Sequence, residues 1–408
     1  MPFTPSRGLH TVFGRLYHGS DDEHALDARP PDGTRRREAL DATELALPDA
    51  QGLALAAGVR ALTGQPACDT SAMDGYAVTG PGPWRIAGRV AAGDPVPELV
   101  LRSGEAFGVA TGAPVPDGSD FVVPVELCSA DGTVLREAFL AEHRPATPGR
   151  HIRRRGEDWP AGAELMPAGS LVTPAVLGLA AGAGHDTLLA HRRPRVAVIV
   201  TGDELLHTGL PRPGRVRDAI GPMLPGLLTR ADLLGTTHLR DDPSALTDAL
   251  APGRADVLVT CGASSVGPAD HLRGVLRSLD AEVLVSGVSC RPGHPMLLAV
   301  LPDGRCVVGL PGNPFAALAA VLTLLRPLLD ALGGHAARPP VTAWLPDVGA
   351  HRTDTRLVPV TRSGGLLVPA GHDRPGSLWG AALADALAVV PPGHRGGEVE
   401  VLTCGSAS

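Results

Sequence analysis

Lysine is absent from this 408-residue chain, so all 36 of its basic residues are arginine. Every permanent cationic contact is therefore a planar guanidinium, and a lysine-to-arginine difference from any relative carries little weight. Cysteine is sparse: Cys68, Cys128, Cys261, Cys290, Cys306 and Cys404 form no CxxC pair and no ladder of spacings. That excludes a zinc ribbon or a disulfide framework and points to a reduced, cytoplasmic setting. No block of like charge occurs, and the net charge is only −7. Nothing in this balance favours nucleic acid or a membrane surface, which leaves a small-molecule substrate. No basic start followed by an apolar core opens the chain, and no unbroken apolar run reaches the ~18 residues that span a bilayer, so an unanchored protein is expected.

What is present is ordinary globular material: 44% hydrophobic residues, with 51 Gly and 40 Pro spread along the chain. At roughly 100–200 residues per domain the length implies several cores. Residues 1–38 are polar, carry Pro30-Pro31 and Arg35-Arg36-Arg37, and read as an arm. Apolar residues from Leu45 to Leu62 recur at helical spacing, and a second helical patch covers Pro174–Ala183. Between them, segments such as Phe121-Val-Val-Pro-Val125 are punctuated by Gly and Pro in the manner of a small all-β unit. The division expected is a discontinuous mixed α/β domain (39–66 and 149–192) around a β-rich insert (67–148).

Arg195-Val-Ala-Val-Ile-Val200 is a β-branched run of the kind buried on both faces of a parallel sheet. Helical stretches near Gly221–Leu234, Ser244–Ala251 and His271–Leu279 then alternate with strands near Thr236–Arg240, Asp256–Thr260, Ala281–Val285 and Cys306–Gly309, before a long helix from Phe315. The alternation predicts an open, doubly wound α/β domain over 193–334. Short strands at Arg356–Thr361, Gly365–Val368, Leu387–Val390 and Glu398–Leu402 then predict a small C-terminal β-barrel over 338–408.

In such a domain ligands bind outside the carboxyl ends of the strands, where helix N-termini offer free N–H groups to anions. Three loops fall there: Thr201-Gly-Asp-Glu-Leu205, Cys261-Gly-Ala-Ser-Ser-Val-Gly-Pro-Ala-Asp270 and Leu310-Pro-Gly-Asn-Pro314. In the second, Gly262 and Gly267 admit a close backbone and Ser264 and Ser265 donate, which suits a phosphate; the competing reading is a solvated turn with Asp270 as an N-cap. Asp203 and Glu204, with Asp241 and Asp242, place carboxylates at one rim, as Mg²⁺ prefers; the alternative is solvated loop acids.

Ser71-Ala-Met-Asp-Gly-Tyr-Ala77, Thr111-Gly-Ala-Pro114, Arg153-Arg-Arg-Gly-Glu-Asp158, Thr201-Gly-Asp-Glu-Leu205, Ser265-Val-Gly267 with Asp270, and Gly309-Leu-Pro-Gly-Asn-Pro314 share their order and near-spacing with one family. From about Leu45 to Leu402 the chain resembles the molybdopterin molybdenumtransferases, MoeA and the gephyrin E domain. The resemblance implies insertion of molybdate into adenylyl-molybdopterin with release of AMP, an Mg²⁺ requirement, and a homodimer whose active site lies between subunits. It names the molybdopterin adenylyltransferase as a further partner. By residue it implies catalytic roles for Asp74, Thr111, Asp158, Glu204, Asp241 and Asp270, with the metal on Glu204, Asp241 and Asp270. Substrate would contact Gly262, Ser264, Ser265, Gly267, Arg291, Pro311, Gly312, Asn313 and Pro314, and molybdate would meet Arg356 and Ser377.

The chain departs from the family pattern at four places. Lys-Pro-Gly-Lys-Pro is Arg291-Pro-Gly-His-Pro295, an upstream lysine is Gly287, Gly-Gly is Gly262-Ala263, and Asp-Ser-Asn is Asp218-Ala-Ile220. These substitutions support an alternative from another class, a non-catalytic paralogue that binds the pterin or a partner protein. A third reading, the doubly wound domain acting alone as in the adenylyltransferase, is opposed by the Ser71–Ala77 string and the C-terminal β segments.

Overall fold

The computed structural model describes residues 39–137, 147–262 and 271–404. Strand Ala42–Ala46 pairs antiparallel with Thr187–His191, which also takes Ala54–Leu55. Chain segments on either side of the insert thus share one small sheet, backed by helix Pro174–Gly182. Thr173 caps that helix, its hydroxyl accepting the Val176 N–H at 3.3 Å. The helix expected over Leu45–Leu62 does not form. Pro48, Gly52 and Gly58 break the run, Gly52 takes a positive φ of 78°, and its apolar residues serve the end of strand Ala42–Ala46, a 3-10 turn and two further short strands instead.

The insert is a six-stranded sheet in the order Phe121–Pro124, Gly75–Thr79, Glu105–Val109, Trp84–Val90, Val134–Glu137, Cys128–Asp131. Apolar clusters form on both faces, one around Ala77, Phe107 and Val122 and the other around Val78, Trp84 and Leu135. Alternation along Gly75–Thr79 supplies side chains to each.

The doubly wound sheet runs Asp232–Leu239, Arg195–Thr201, Val257–Cys261, Cys306–Leu310, Leu297–Val300, Glu282–Val285. Its first four strands are parallel, and Arg195–Thr201 has a neighbour on each side, which explains the apolar run at Val196–Val200. Two expectations need correction here. Leu297–Val300 is an additional strand, antiparallel to Cys306–Leu310 through the Pro302-Asp303-Gly304 turn, so the sheet is mixed. The helix near Gly221–Leu234 shrinks to Leu224–Leu227, because Pro225 and Gly226 sit inside it and Asp232 already begins the edge strand.

Helix Pro314–Leu332 spans 19 residues and is long and apolar enough to cross a membrane by length and composition, with mean hydropathy 1.8, although 78% of that stretch is buried inside the protein. Its middle, Val321–Leu325, is a π-helical segment. Ala317, Ala320, Val321, Leu324 and Leu328 face the sheet, while Phe315, Leu318 and Leu322 pack against Leu357, Ala381 and Leu387 of the C-terminal domain. That domain is a closed five-stranded barrel: Thr355–Ser363, Leu366–Pro369, Thr342–Leu345, Gly397–Thr403 and Ala386–Val390, with Thr355–Ser363 pairing back to Ala386–Val390. Closure leaves no free edge.

Candidate functional site

Two groups of expected site residues assemble, one on the insert and one at the rim of the parallel sheet. On the insert, Ser71-Ala-Met-Asp-Gly-Tyr-Ala77 and the Arg153–Asp158 loop lie side by side because Thr70–Ser71 pairs with Ile152–Arg153. Ser71, fully buried, donates its hydroxyl to Met73 O at 2.6 Å, and its own carbonyl accepts the Gly112 N–H at 2.8 Å. This brings Thr111 against Asp74: one Asp74 oxygen accepts the Thr111 N–H at 2.6 Å and the Thr111 hydroxyl at 3.0 Å. The backbone bond first and the hydroxyl second lower the Asp74 pKa, which keeps this exposed carboxylate ionised. Gly75 is required sterically, since a β-carbon there would lie 2.0 Å from Val123 O. Asp158 is exposed at the loop end, its N–H donated to Gln65 O at 3.0 Å, while Arg154 is held by Asp69 at 2.5 Å.

At the rim, Arg195–Thr201 and Asp232–Leu239 are neighbours, so the residues that follow them meet. The Asp203 N–H donates to an Asp241 oxygen at 3.1 Å, and Glu204 follows, its carbonyl accepting the Val216 N–H at 2.9 Å. Asp242 is occupied otherwise: it caps helix Pro243–Ala249 through the Ser244 N–H at 2.9 Å. A small opening here is lined by Thr201, Arg240, Asp241, Asp242, Leu246 and His271. Thr201 opens one of the three loops expected at the site, whereas Arg240 and His271 were not among the expected residues; Arg240 follows strand Asp232–Leu239 and His271 precedes helix Leu272–Ser278.

Gly262 follows the strand Val257–Cys261 with φ of +105°, and a β-carbon on it would come within 2.6 Å of Thr201 O. Gly262→Ala is therefore expected to cost about 1–3 kcal/mol of stability, read from the denaturant midpoint. Gly312 packs against it, with its β-carbon position 3.5 Å from Gly262 Cα. Ala263, Ser264, Ser265, Gly267 and Asp270 lie outside the described residues. Pro311 is buried, whereas Gly312 and Asn313 are exposed ahead of Pro314, the first residue of the long helix.

The barrel completes this side. The Phe315 N–H donates to Pro375 O at 2.9 Å, and Gly376 lies beside Asn313, which sets the Ser377 loop against the Pro311–Pro314 loop. Cys290–Arg291 pairs parallel with Thr355–Arg356, placing the two arginines in register. Both are engaged: Arg291 with Asp354, and Arg356 with Asp373 at 2.5 Å and with the carbonyls of Val348 and Gly349.

Two departures turn out to be neighbours. Gly287 has φ of +144°, which side chains rarely adopt, and a β-carbon there would lie 3.9 Å from the His294 ring. The imidazole, anchored by Nδ1 to Val288 O at 2.9 Å, fills the side of the missing side chain. Ile220, a third departure, is buried in the main sheet core with Leu224. Burial also pushes the Cys261 thiol up and the Cys290 thiol to about 12, so both stay protonated.

Residues 24–184 match the family model for the MoeA N-terminal region (domain I and II), and residues 197–331 match the probable molybdopterin binding domain. Among curated relatives, molybdopterin molybdenumtransferase 2 of Mycobacterium tuberculosis is 38% identical over 69% of this chain and 73% of its own length. The molybdopterin molybdenumtransferase of Bacillus subtilis is 30% identical over 87% of each. The crystal structure of the molybdopterin biosynthesis MoeA protein of Pyrococcus horikoshii superposes with a TM-score of 0.73 at 27% identity, covering 91% of this chain and 96% of that one. With its two matched regions, its barrel and relatives at 30% and 38% identity over most of their length, the chain belongs to the molybdopterin molybdenumtransferase family.

Proposed function

We propose that this protein inserts molybdate into adenylylated molybdopterin and releases AMP. The observation that carries the reading is Asp241, held by the Asp203 N–H next to Glu204, together with the open backbone of Gly262 and Gly312 at the carboxyl ends of the parallel strands. A pyrophosphate fits such a rim, where Gly262 and Gly312 admit its oxygens close to the backbone.

Glu204 and Asp241, with Asp270 from outside the described residues, would supply all-oxygen donors of the type Mg²⁺ takes when phosphates and water complete its shell. The ion would neutralise charge on the pyrophosphate as AMP leaves. Arg356 and Ser377, the latter on the loop beside Asn313, would hold the molybdate dianion, with Arg291 in register with Arg356 contacting the substrate. The sulfurs that receive molybdenum belong to the substrate, in keeping with thiols that are buried and protonated here. Asp74, Thr111 and Asp158 would act from the second subunit of a homodimer, and the adenylyltransferase that supplies the substrate is the partner this reading implies.

A binder without turnover draws support from Arg356, whose guanidinium is already taken by Asp373 and two carbonyls. The test is AMP release from adenylylated molybdopterin. Turnover is expected only when Mg²⁺ and molybdate are both present; binding with no release under any combination would favour the second reading.

A further inference from the structure

Beside the acidic rim, three side chains far apart in sequence come together: His207, Asp218 and His238. The backbone explains the meeting. Leu205–Leu206 pairs parallel with Val216–Arg217, and the Asp218 N–H donates to Leu206 O at 3.0 Å, so His207 and Asp218 leave the same end of one short ladder. His238 comes from the edge strand, in register with Val200.

We propose that these residues bind a transition-metal divalent cation of the zinc class. One donor atom from each lies within 4.8 Å of the other two. The His238 Nε2 to Asp218 Oδ2 separation is 3.3 Å, and ligands about 2.0–2.1 Å from a tetrahedral zinc ion are themselves about 3.3–3.4 Å apart. The imidazole rings of His207 and His238 have centroids 4.0 Å apart and are inclined at 59°. Asp218 is prepared for the role. Only 8% of it is exposed, and its Oδ1 accepts the N–H groups of Ile220 at 3.0 Å and Gly221 at 2.9 Å, which leaves Oδ2 directed at His238. Backbone bonds to the non-ligating oxygen are the orienting support that metal carboxylates need. Both histidines are exposed, so an ion can enter and water can complete its shell.

Two nitrogens among three donors argue against Mg²⁺ or Ca²⁺, which take oxygen, and two imidazoles with one carboxylate suit zinc or its first-row neighbours. This site is therefore chemically distinct from the Glu204–Asp241 rim. An ion here would tie the loop that follows Glu204 to the strand that leads into Asp241.

The test uses the metal-stripped full chain and Zn²⁺ in competition with a chromophoric chelator. One equivalent per chain is expected, unaffected by excess Mg²⁺, and Co²⁺ in its place should give the strong visible absorption of four-coordinate geometry. His207→Asn and His238→Asn should each weaken binding by about 100-fold or more, beyond the 10–100-fold that losing a mere orienting partner costs. Far-UV circular dichroism checks that both variants fold, and the cobalt spectrum of the parent stands without them. Sub-stoichiometric retention, a six-coordinate cobalt spectrum, or unchanged affinity in both folded variants would overturn the proposal.

Discussion

Chains carrying Asp74→Asn, mixed and reassorted with chains carrying Asp241→Asn, are expected to recover about a quarter of the parent activity, although each variant alone has almost none. In one chain the Asp74–Thr111 pair sits on the insert and Asp241 at the rim of the parallel sheet, and no described contact joins them. If a two-fold homodimer builds each site from both subunits, a mixed dimer has one site with both substitutions and one with neither. Random reassortment makes half the dimers mixed, which gives the quarter. Both changes preserve shape: an asparagine oxygen can still accept the Thr111 or Asp203 N–H, so what is lost is charge. For either variant alone a fall of about 100-fold or more in the rate of AMP release is expected, the scale of removing one group aimed at developing charge. No recovery on mixing, with reassortment verified by tagged chains, would show that each site is built within one subunit.

Asp256→Ala should be the most damaging single change to stability outside the sites. Its carboxylate accepts both terminal nitrogens of Arg192 at 2.6 and 2.8 Å, the Arg195 N–H at 2.8 Å and the Arg195 side chain at 3.3 Å. Only 14% of the Asp256 side chain is exposed, against 34% and 36% for the arginines. Breaking a fully buried pair costs 3–5 kcal/mol; with the arginines partly solvated, about 2–4 kcal/mol is expected. Equilibrium urea denaturation measures it. Burial alone would raise the Asp256 pKa, but the Arg192 and Arg195 bonds outweigh it and bring it from 3.8 to about 2. A depressed acid stabilises the fold above its unfolded pKa. This contribution is thus complete above about pH 4 and is lost as pH falls toward 2. Asp256→Asn should flatten that part of the acid-unfolding curve.

The rim was legible in the sequence because strand ends in an α/β domain are topologically determined. Once Arg195–Val200 and Asp256–Thr260 read as buried strands, Asp203, Glu204 and Gly262 had to follow them. Asp203 and Asp241 meet there through a backbone N–H, whereas Asp242 proved to be a helix cap. Leu45–Leu62 misled because its spacing fits a helix while its partner, Thr187–His191, lies more than a hundred residues away. Pairing of that kind overrides local periodicity. The His207–Asp218–His238 cluster had no spacing to betray it, since it depends on a two-residue ladder and an edge-strand register. The coupling of Gly287 to His294 was hidden for the same reason: the two read as separate losses until the ring was seen beside the glycine.

The Pro314–Leu332 helix is a wall common to two rooms, and that limits how the protein can be divided. Cutting the chain after Leu332 would remove Leu357, Ala381 and Leu387 and bare Phe315, Leu318 and Leu322, a greasy strip on an otherwise finished half. The pterin-binding half therefore does not make a clean stand-alone fragment. Swinging the barrel away from the Asn313 loop would tear that strip open, which favours a route for reactants that leaves this seam closed.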